Sequence, residues 1–238
     1  MQIFFASRLD EHQLSLSGQE AKHAVQVLRH KVGDQLMCID GKGTAFEATV
    51  TQAGKQAVVL DILHTFTGWG EKSSSLQLAV SPLRLKDRFE WMIEKAVELG
   101  VNEITPIICD HTIKFFKYKH QRLEQIILSA TKQAKRSFLP ILQEAIPIQE
   151  YLSTQVDETS VKIIAHCQAK AALSTYQTEI QASPTMQIMI GPEGDFSEAE
   201  IQETVAAGFQ EVSLGENRLR TETAGVYVLS AIKYMQGY

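Results

Sequence analysis

From the N-terminus to about residue 66, apolar residues come in short runs broken by polar and turn-forming ones, the pattern of strands. The runs "QIFFA", "DQLMCID", "AFEATVTQA" and "QAVVLDIL" are predicted strands, and Asp40-Gly-Lys-Gly43 is a hairpin-type turn between two of them. One helix interrupts the series. Ser17-Gly-Gln-Glu20 has capping-box spacing, in which the Ser17 hydroxyl accepts from the third helical N–H and Glu20 reaches back. Ala24, Val27 and Leu28 supply that helix's expected apolar stripe. Several short strands with a single helix predict a small β-barrel.

The stretch "TGWGEKSSS", Thr67 to Ser75, is rich in glycine and serine and marks a boundary between a domain at 1–70 and one at 74–238. Beyond it the period changes. "LQLAVSPL", "VNEITPIIC", "VKIIAHC", "MQIMI" and "EVSLG" are short apolar strands. Between them, Phe89, Met92, Ile93, Ala96 and Val97 follow i, i+3, i+4, i+7, i+8 spacing from Asp87 to a stop at Gly100. Leu123, Ile126, Ile127 and Ala130 do the same over about Lys119 to Lys135, and "SEAEIQETVAAG" and "TAGVYVLSAIKYM" are further helices. Strands that are apolar on both faces, alternating with helices, predict an α/β domain with a mainly parallel, doubly covered sheet. No internal repeat or low-complexity tract is evident.

Composition leaves this picture unchanged: 238 residues, 44% hydrophobic and 21% charged, is ordinary globular usage. No apolar run approaches the ~20 residues that cross a bilayer, and the start "MQIFFASRLDEHQ" does not read as a signal peptide. Cys38, Cys109 and Cys167 are few, odd in number and widely spaced. They suggest neither a disulfide framework nor a zinc site and fit a reducing, cytoplasmic setting. Charge does add something. The net charge of -5 argues mildly against a nucleic-acid partner. Yet Lys114, Lys117, Lys119, Arg122, Lys132, Lys135 and Arg136 cluster with Glu124 as the only acid among them. Such a patch attracts a polyanion whatever the global sum, although a charge run by itself is more often a solvated helix face.

In open α/β sheets, ligands sit beyond the carboxyl ends of strands. Three such ends are unusual: Ala165-His166-Cys167, Gly191-Pro-Glu-Gly-Asp-Phe196, and Leu214-Gly-Glu-Asn-Arg-Leu-Arg-Thr-Glu-Thr-Ala224. A glycine turn between strand and helix usually holds phosphate, but Glu193 and Asp195 repel one, and Ser197-Glu-Ala-Glu200 is a capping box that occupies the helix's own donors. What remains is closely approachable backbone, suited to an adenine edge or a ribose, or simply a tight connection. In the third loop, Arg218 and Arg220 stand beside Glu216 and Glu222 just ahead of a helix. That arrangement fixes a carboxylate or phosphate, or forms a structural Arg–Glu pair. His111, His120 and His166 lack metal-ligand spacing, so no metal is expected. No G-x-S-x-G, H-E-x-x-H or Walker pattern is present.

"IGPEGDFSEAE" (Ile190–Glu200) followed by "LGENRLRTETA" (Leu214–Ala224) strongly resembles the C-terminal signature of RsmE-type 16S rRNA (uracil-N3) methyltransferases of the SPOUT superfamily. "KDRFEWMIEKAVELGVNEITPI" and "ATKQAKRSFLP" resemble further segments of that family, and the N-terminal β region, with Arg8 and "HAVQVLR", is similar to its PUA-like domain. The resemblance covers nearly the whole chain. It departs at Gly194-Asp195, where the family often has two glycines, and at Asp110-His111-Thr112, where an arginine is expected.

The resemblance implies a deep C-terminal trefoil knot, a homodimer, and S-adenosyl-L-methionine bent among the three loops. It implies methylation of N3 of a uridine in 16S rRNA, within the small ribosomal subunit. The cofactor-binding residues it suggests are His166, Ile190, Gly191, Glu193, Gly194, Leu214, Gly215, Leu219, Thr223 and Ala224. Arg220 is the candidate for stabilising developing negative charge or for holding the target phosphate; Glu222 is either the base or the group that orients Arg220. RNA contacts are expected from Arg8, Lys22, Arg29, Arg84, Lys86, Arg88 and Arg136. Alternatives are a SPOUT enzyme acting on a ribose 2′-hydroxyl or on tRNA, a non-catalytic RNA-binding assembly factor, and an unrelated nucleotide-binding α/β enzyme.

Overall fold

A computed structural model describes residues 2–71, 74–114, 118–154 and 159–237. Lys117 of the basic run, and Lys72 and Ser73 of the boundary segment, lie outside the described residues. The chain forms two units, Met1–Lys72 with Leu128–Leu139, and Ser73–Ile127 with Pro140–Tyr238.

In the first unit, β1 (Ile3–Phe5), β2 (Ser7–Arg8), β3 (Gln13–Ser17), β4 (Gln35–Ile39), β5 (Thr44–Ala53) and β6 (Ala57–Thr67) form one sheet in the order β1-β4-β5-β6-β3-β2. Only Ala6 separates β1 from β2, yet they are its two edge strands, so the sheet must curl until its edges approach. Period-two alternation fills the interior: Leu14 and Leu16, Leu36 and Cys38, Phe46, Ala48 and Val50, and Val58 and Leu60 pack in one cluster. The Asp40 turn forms as expected, with Asp40 Oδ1 accepting from the N–H groups of Lys42 (2.7 Å) and Thr44 (3.0 Å).

The helix of this unit differs from expectation. α1 (Gly18–Lys22) runs directly into a π-helical turn, His23–Val27, closed by Leu28 N–H donating to the His23 carbonyl at 3.0 Å. The wider turn shifts the register after Ala24, so Val27 is 67% exposed and Leu28 40%; Ala21, Ala24 and Val25 make the buried face instead. The Ser17 capping box is not formed. Glu20 is engaged elsewhere: its carboxylate accepts from Phe5 N–H at 3.1 Å and pairs with Lys132.

Segment 128–139 joins this unit, although the sequence reading placed it in the second domain. Gly43 N–H donates to the Ser137 carbonyl (3.0 Å), and Leu139 N–H to that of Gly41 (2.9 Å). Glu71 gathers the rest. Its Oε2 takes Arg136 Nη2 at 3.1 Å, and its Oε1 takes the N–H groups of Ser137 (3.1 Å) and Phe138 (2.9 Å). Arg136 is 4% exposed in this pair, which corrects its expected place among the RNA contacts: a buried, bidentate partner of Glu71 has no face to offer a phosphate.

The second unit holds β7 (Ser75–Val80), α2 (Lys86–Glu98), β8 (Glu103–Ile108), β9 (Ile141–Leu142), β10 (Ile146–Pro147), α4 (Ile148–Ser153) and β11 (Val161–Ala165). A 3-10 turn (Leu173–Tyr176), α5 (Gln177–Ala182), β12 (Thr185–Ile190), α6 (Glu198–Ala206), β13 (Gln210–Val212) and α7 (Thr221–Met235) follow. α3 (His120–Gln133) starts here and ends in the first unit. The sheet runs β10-β8-β7-β12-β11-β13 with β9 also on β8, and its pairings are parallel throughout. The predicted stripe of α2 is fully buried, and Gly100, at φ +92, ends that helix in a backbone conformation that favours glycine. β9, β10, α4, the 3-10 turn and α5 are too short to show a period and went unread.

Candidate functional site

Parallel register sets the site. Ala165 at the end of β11 pairs with Ile190 at the end of β12 and with Val212 at the end of β13, so three strands finish level and their loops emerge together. Between these loops lies a cavity of about 370 Å³, within the usual range for a small-molecule site.

The loop after β12 is built around close approach. A Cβ on Gly191 would stand 2.9 Å from the Phe196 ring, so Phe196 packs there only because residue 191 is glycine. The turn closes by Asp195 N–H donating to the Pro192 carbonyl at 3.0 Å, and Asp195 itself sits at φ +66. Its carboxylate accepts from Cys167 N–H (Oδ2, 2.9 Å) and from its neighbour Phe196 N–H (Oδ1, 2.9 Å). His111 Nδ1 lies 2.9 Å from the Asp195 carbonyl. The expected capping box opens α6: Glu200 N–H donates to Ser197 Oγ and Ser197 N–H to Glu200 Oε2.

His166, after β11, is buried. Its Nδ1 accepts from Gln168 N–H (3.3 Å), which leaves Nε2 to carry the proton and donate to Glu211 (3.0 Å). The adjacent Cys167 thiol is exposed, and its pKa is raised, first by desolvation and then by its hydrogen bond to Asp195.

The third loop begins at Ser213, whose N–H donates to the Ala171 carbonyl (2.7 Å), and turns at Gly215 with φ +118. Arg218 Nη2 donates to the Glu193 carbonyl (3.3 Å), bridging the second and third loops. Arg220 is the N-cap of α7, extended and without a side-chain cap bond. Arg220 thus enters the cavity lining at the positive end of that helix, where a negative charge is favoured. Glu222, in the first turn, is buried with Oε1 3.6 Å from Arg88 Nη1. The carboxylate that the sequence left as a possible partner of Arg220 thus pairs with Arg88.

Arg220 and Glu222 both line the cavity, as do His166, Ile190, Gly191, Glu193, Leu214, Gly215, Leu219 and Ala224. Gly194 and Thr223 do not: Gly194 lies against His111, 3.0 Å from a virtual Cβ, and Thr223 points outward while Thr221 takes the inner position. Among the expected RNA residues, Arg88 lines this cavity instead. Arg84 and Lys86 are exposed near it, Arg84 N–H reaching Glu193 Oε1 at 3.4 Å. In the first unit, Lys22 and Arg29 are exposed, and Arg8 lies over the Phe46 ring while donating to the carbonyls of Asp10 and Glu11. Asp195 and Cys167 belong to two of the loops picked out in the sequence without being among the named site residues, and Arg88 was expected at RNA; all three line the cavity. Only the spacing of Arg88 one helical turn ahead of the Met92 stripe held a signal for the last.

The lining is chemically mixed. Ile190, Pro192, Leu214 and Leu219 offer flat apolar surface, and Glu193, Asp195 and Glu222 offer negative charge, against Arg88, Arg218 and Arg220. Such a set suits a ligand with a planar ring and a positive centre better than a polyphosphate. Among the described residues no group of acids, histidines and cysteines could hold a metal ion.

Residues 71–233 match the RNA methyltransferase domain family, and residues 16–63 the RNA methyltransferase PUA domain. The chain is therefore built as an RNA methyltransferase domain preceded by a PUA domain. A "Ribosomal RNA small subunit methyltransferase E" from Mesomycoplasma hyopneumoniae is 30% identical over 97% of this chain and 98% of that protein. The chain belongs to the ribosomal RNA small subunit methyltransferase E family. Among solved structures, a probable rRNA-methyltransferase from Porphyromonas gingivalis is 33% identical with a TM-score of 0.88, covering 99% of this chain and 98% of that one. The family member from Neisseria gonorrhoeae, bound to S-adenosyl methionine, is 29% identical with a TM-score of 0.87 over the same shares.

Proposed function

We propose that the protein transfers the methyl group of S-adenosyl-L-methionine to N3 of a uridine in 16S rRNA of the small ribosomal subunit. The observation that carries this is the cavity at the level ends of β11, β12 and β13, in a family whose gonococcal member binds that cofactor. The residues present fit the cofactor. Ile190, Leu214 and Leu219 with the Gly191 and Gly215 backbone would hold the adenosine, and the carboxylate of Glu193 would complement a positive centre. Bound there, the cofactor supplies an electrophilic methyl group on a cationic sulfur.

The chain's own task is the uracil. N3 carries a proton at neutral pH, and losing it places negative charge on the ring and its oxygens. Arg220, at the N-terminus of α7, stabilises that charge, its guanidinium and the helix dipole acting together. Glu222, buried in the first turn and held by Arg88, is the acceptor for the N3 proton. The apolar lining limits water around the reacting groups.

Four further readings accompany this one. The C-terminal domain is of the SPOUT type with a deep trefoil knot. The parallel sheet, with the loops after β11, β12 and β13 emerging together at one end, is compatible with that fold. The protein is a homodimer; exposed Trp91 of α2 and Tyr227 and Tyr234 of α7 are residues such an interface would cover. RNA is held by Arg8, Lys22 and Arg29 of the PUA domain (1–70) and by Arg84 and Lys86 of the methyltransferase domain (74–238). The protein works in the cytoplasm, where its substrate is.

The test is methyl transfer from labelled S-adenosyl-L-methionine to undermethylated small subunits and to naked 16S rRNA, with the modified nucleotide mapped. Product at N3 of a single uridine is expected. A methylated ribose, or no transfer to either substrate, would overturn the reading.

A further inference from the structure

Asp195 combines two properties that rarely coincide without reason. It is one of three non-glycine residues at positive φ among the described residues, a conformation that few side chains other than Asn and Asp adopt. Asp195 also lines the cavity, and each oxygen of its carboxylate accepts a backbone hydrogen bond. Oδ2 reaches out of its own loop to the Cys167 N–H at 2.9 Å, while Oδ1 caps Phe196 N–H at 2.9 Å. Cys167 follows His166 directly, and Phe196 is the ring that fills the space beside Gly191. One carboxylate thus fastens the turn after β11 to the turn after β12, the two sides of the cavity entrance. From behind, His111 Nδ1 meets the Asp195 carbonyl at 2.9 Å, and the loop from Asp110 is tied down by Ser197 Oγ donating to Asp110 Oδ2 at 2.7 Å.

We propose that Asp195 is a positioning residue for the methyl donor: its carboxylate, by clamping the 166–168 turn to the 191–196 loop, sets the shape of the cofactor cavity. This inference rests on the reading of the cavity as the S-adenosyl-L-methionine site. The side chain matters here for what it holds, and the left-handed backbone is what aims it.

That separation gives the experiment. Asp195→Gly keeps the backbone conformation, which glycine adopts without strain, and removes the clamp. Asp195→Asn keeps an acceptor oxygen and a residue that tolerates left-handed φ. Calorimetry of S-adenosyl-L-methionine binding to the whole chain, thermal melting and steady-state kinetics are measured on wild type and both variants. For Asp195→Gly, Kd and KM for the cofactor are expected to rise about 10- to 100-fold, the range for losing hydrogen bonds to a charged group. Its kcat should move far less, and its melting temperature should stay near that of wild type. Asp195→Asn should recover at least half of the lost affinity on a logarithmic scale. Wild-type binding with Asp195→Gly binding equally tightly overturns the inference and leaves the functional reading standing. So does a loss in kcat and melting temperature as large as the loss in affinity, because that marks a merely structural residue. A wild-type protein that binds no S-adenosyl-L-methionine overturns both. If the glycine variant fails to fold, an asparagine variant as weak as an Asp195→Ala variant overturns it.

Discussion

Glu200 is 1% exposed, yet its carboxylate has a full set of partners. Oε2 accepts from Ser197 N–H at 2.8 Å and Oε1 from Asp110 N–H at 2.7 Å. The first bond is the reciprocal half of the α6 capping box; the second ties the turn after β8 to the foot of the glycine loop. Glu200→Ala removes both acceptors and leaves the Ser197 cap on residue 200 intact, since that bond uses the main-chain N–H. Two N–H groups lose a charged acceptor, each bond worth about 1.5–3 kcal/mol if water were fully excluded. Both lie in half-buried surroundings where water can replace part of the loss, so about 2 kcal/mol is the expected cost. For a chain of this size that corresponds to a fall in melting temperature of about 4–8 °C. With two units in the chain, a single transition is not assured, so a local measure is the better assay. Amide hydrogen exchange at Asp110 and Ser197 should accelerate about 30-fold, the factor that about 2 kcal/mol represents. Glu200→Gln should recover less than half, because its amide nitrogen then faces one of the two donors. Unchanged exchange at both amides, with a melting temperature within about 1 °C of wild type, would show that the carboxylate bears no load there.

Arg220→Ala should abolish methyl transfer in a steady-state assay while leaving S-adenosyl-L-methionine binding by calorimetry nearly intact; near-wild-type turnover would remove Arg220 from its assigned role. Glu222→Gln should lower kcat by about 10²- to 10⁴-fold, as expected for a proton acceptor, and an unaltered pH–rate profile would speak against that role. The Arg88–Glu222 pair is half open to solvent on the arginine side, so a double-mutant cycle on stability should give no more than about 1 kcal/mol of coupling. A thiol reagent should modify Cys167 alone in the native protein, because Cys38 and Cys109 are buried, the first with a thiol pKa pushed up to about 12 by burial. Reaction needs the thiolate and the Cys167 pKa is raised above the usual range, so the rate should climb with pH through and beyond the usual thiol range, and S-adenosyl-L-methionine should protect.

The parallel sheet was legible because its strands are apolar on both faces and its long helices carry full i, i+3, i+4 stripes, as in α2 from Phe89 to Val97. What escaped was decided by single side chains or by turns without a period. Val27 and Leu28 were misplaced because one π-turn changes the residues per turn, and nothing in the local spelling announces it. The Ser17 box failed, although its spacing matches the Ser197 box that formed. Glu20 found Phe5 N–H and Lys132, partners 15 and 112 residues away that no local pattern contains. Arg136 misled in the same manner, reading as surface charge because Glu71 is distant in sequence. The three site loops could be picked out by glycine and charge, and the register of β11 with its neighbours brings them together. Which carboxylate meets which arginine was not spelled out.

The two places where the chain departs from the family resemblance, Asp110-His111-Thr112 and Gly194-Asp195, are in contact. A Cβ on Gly194 would stand 3.0 Å from the His111 Cβ, and the His111 ring meets the Asp195 carbonyl. A larger residue at 194 would push His111 away, and an ordinary residue at 195 would resist the backbone turn that exposes that carbonyl. The conformations of the two segments are therefore coupled. The same turn carries the Asp195 carboxylate round to Cys167 and the cavity. An acid in this glycine loop then needs no phosphate to explain it: its charge is used by main-chain N–H groups that would otherwise be unpaired beside the cavity. On this reasoning the paired exchange His111→Arg with Asp195→Gly should be tolerated better than the sum of its parts. A strictly additive double mutant in cofactor affinity would break the link between the two loops.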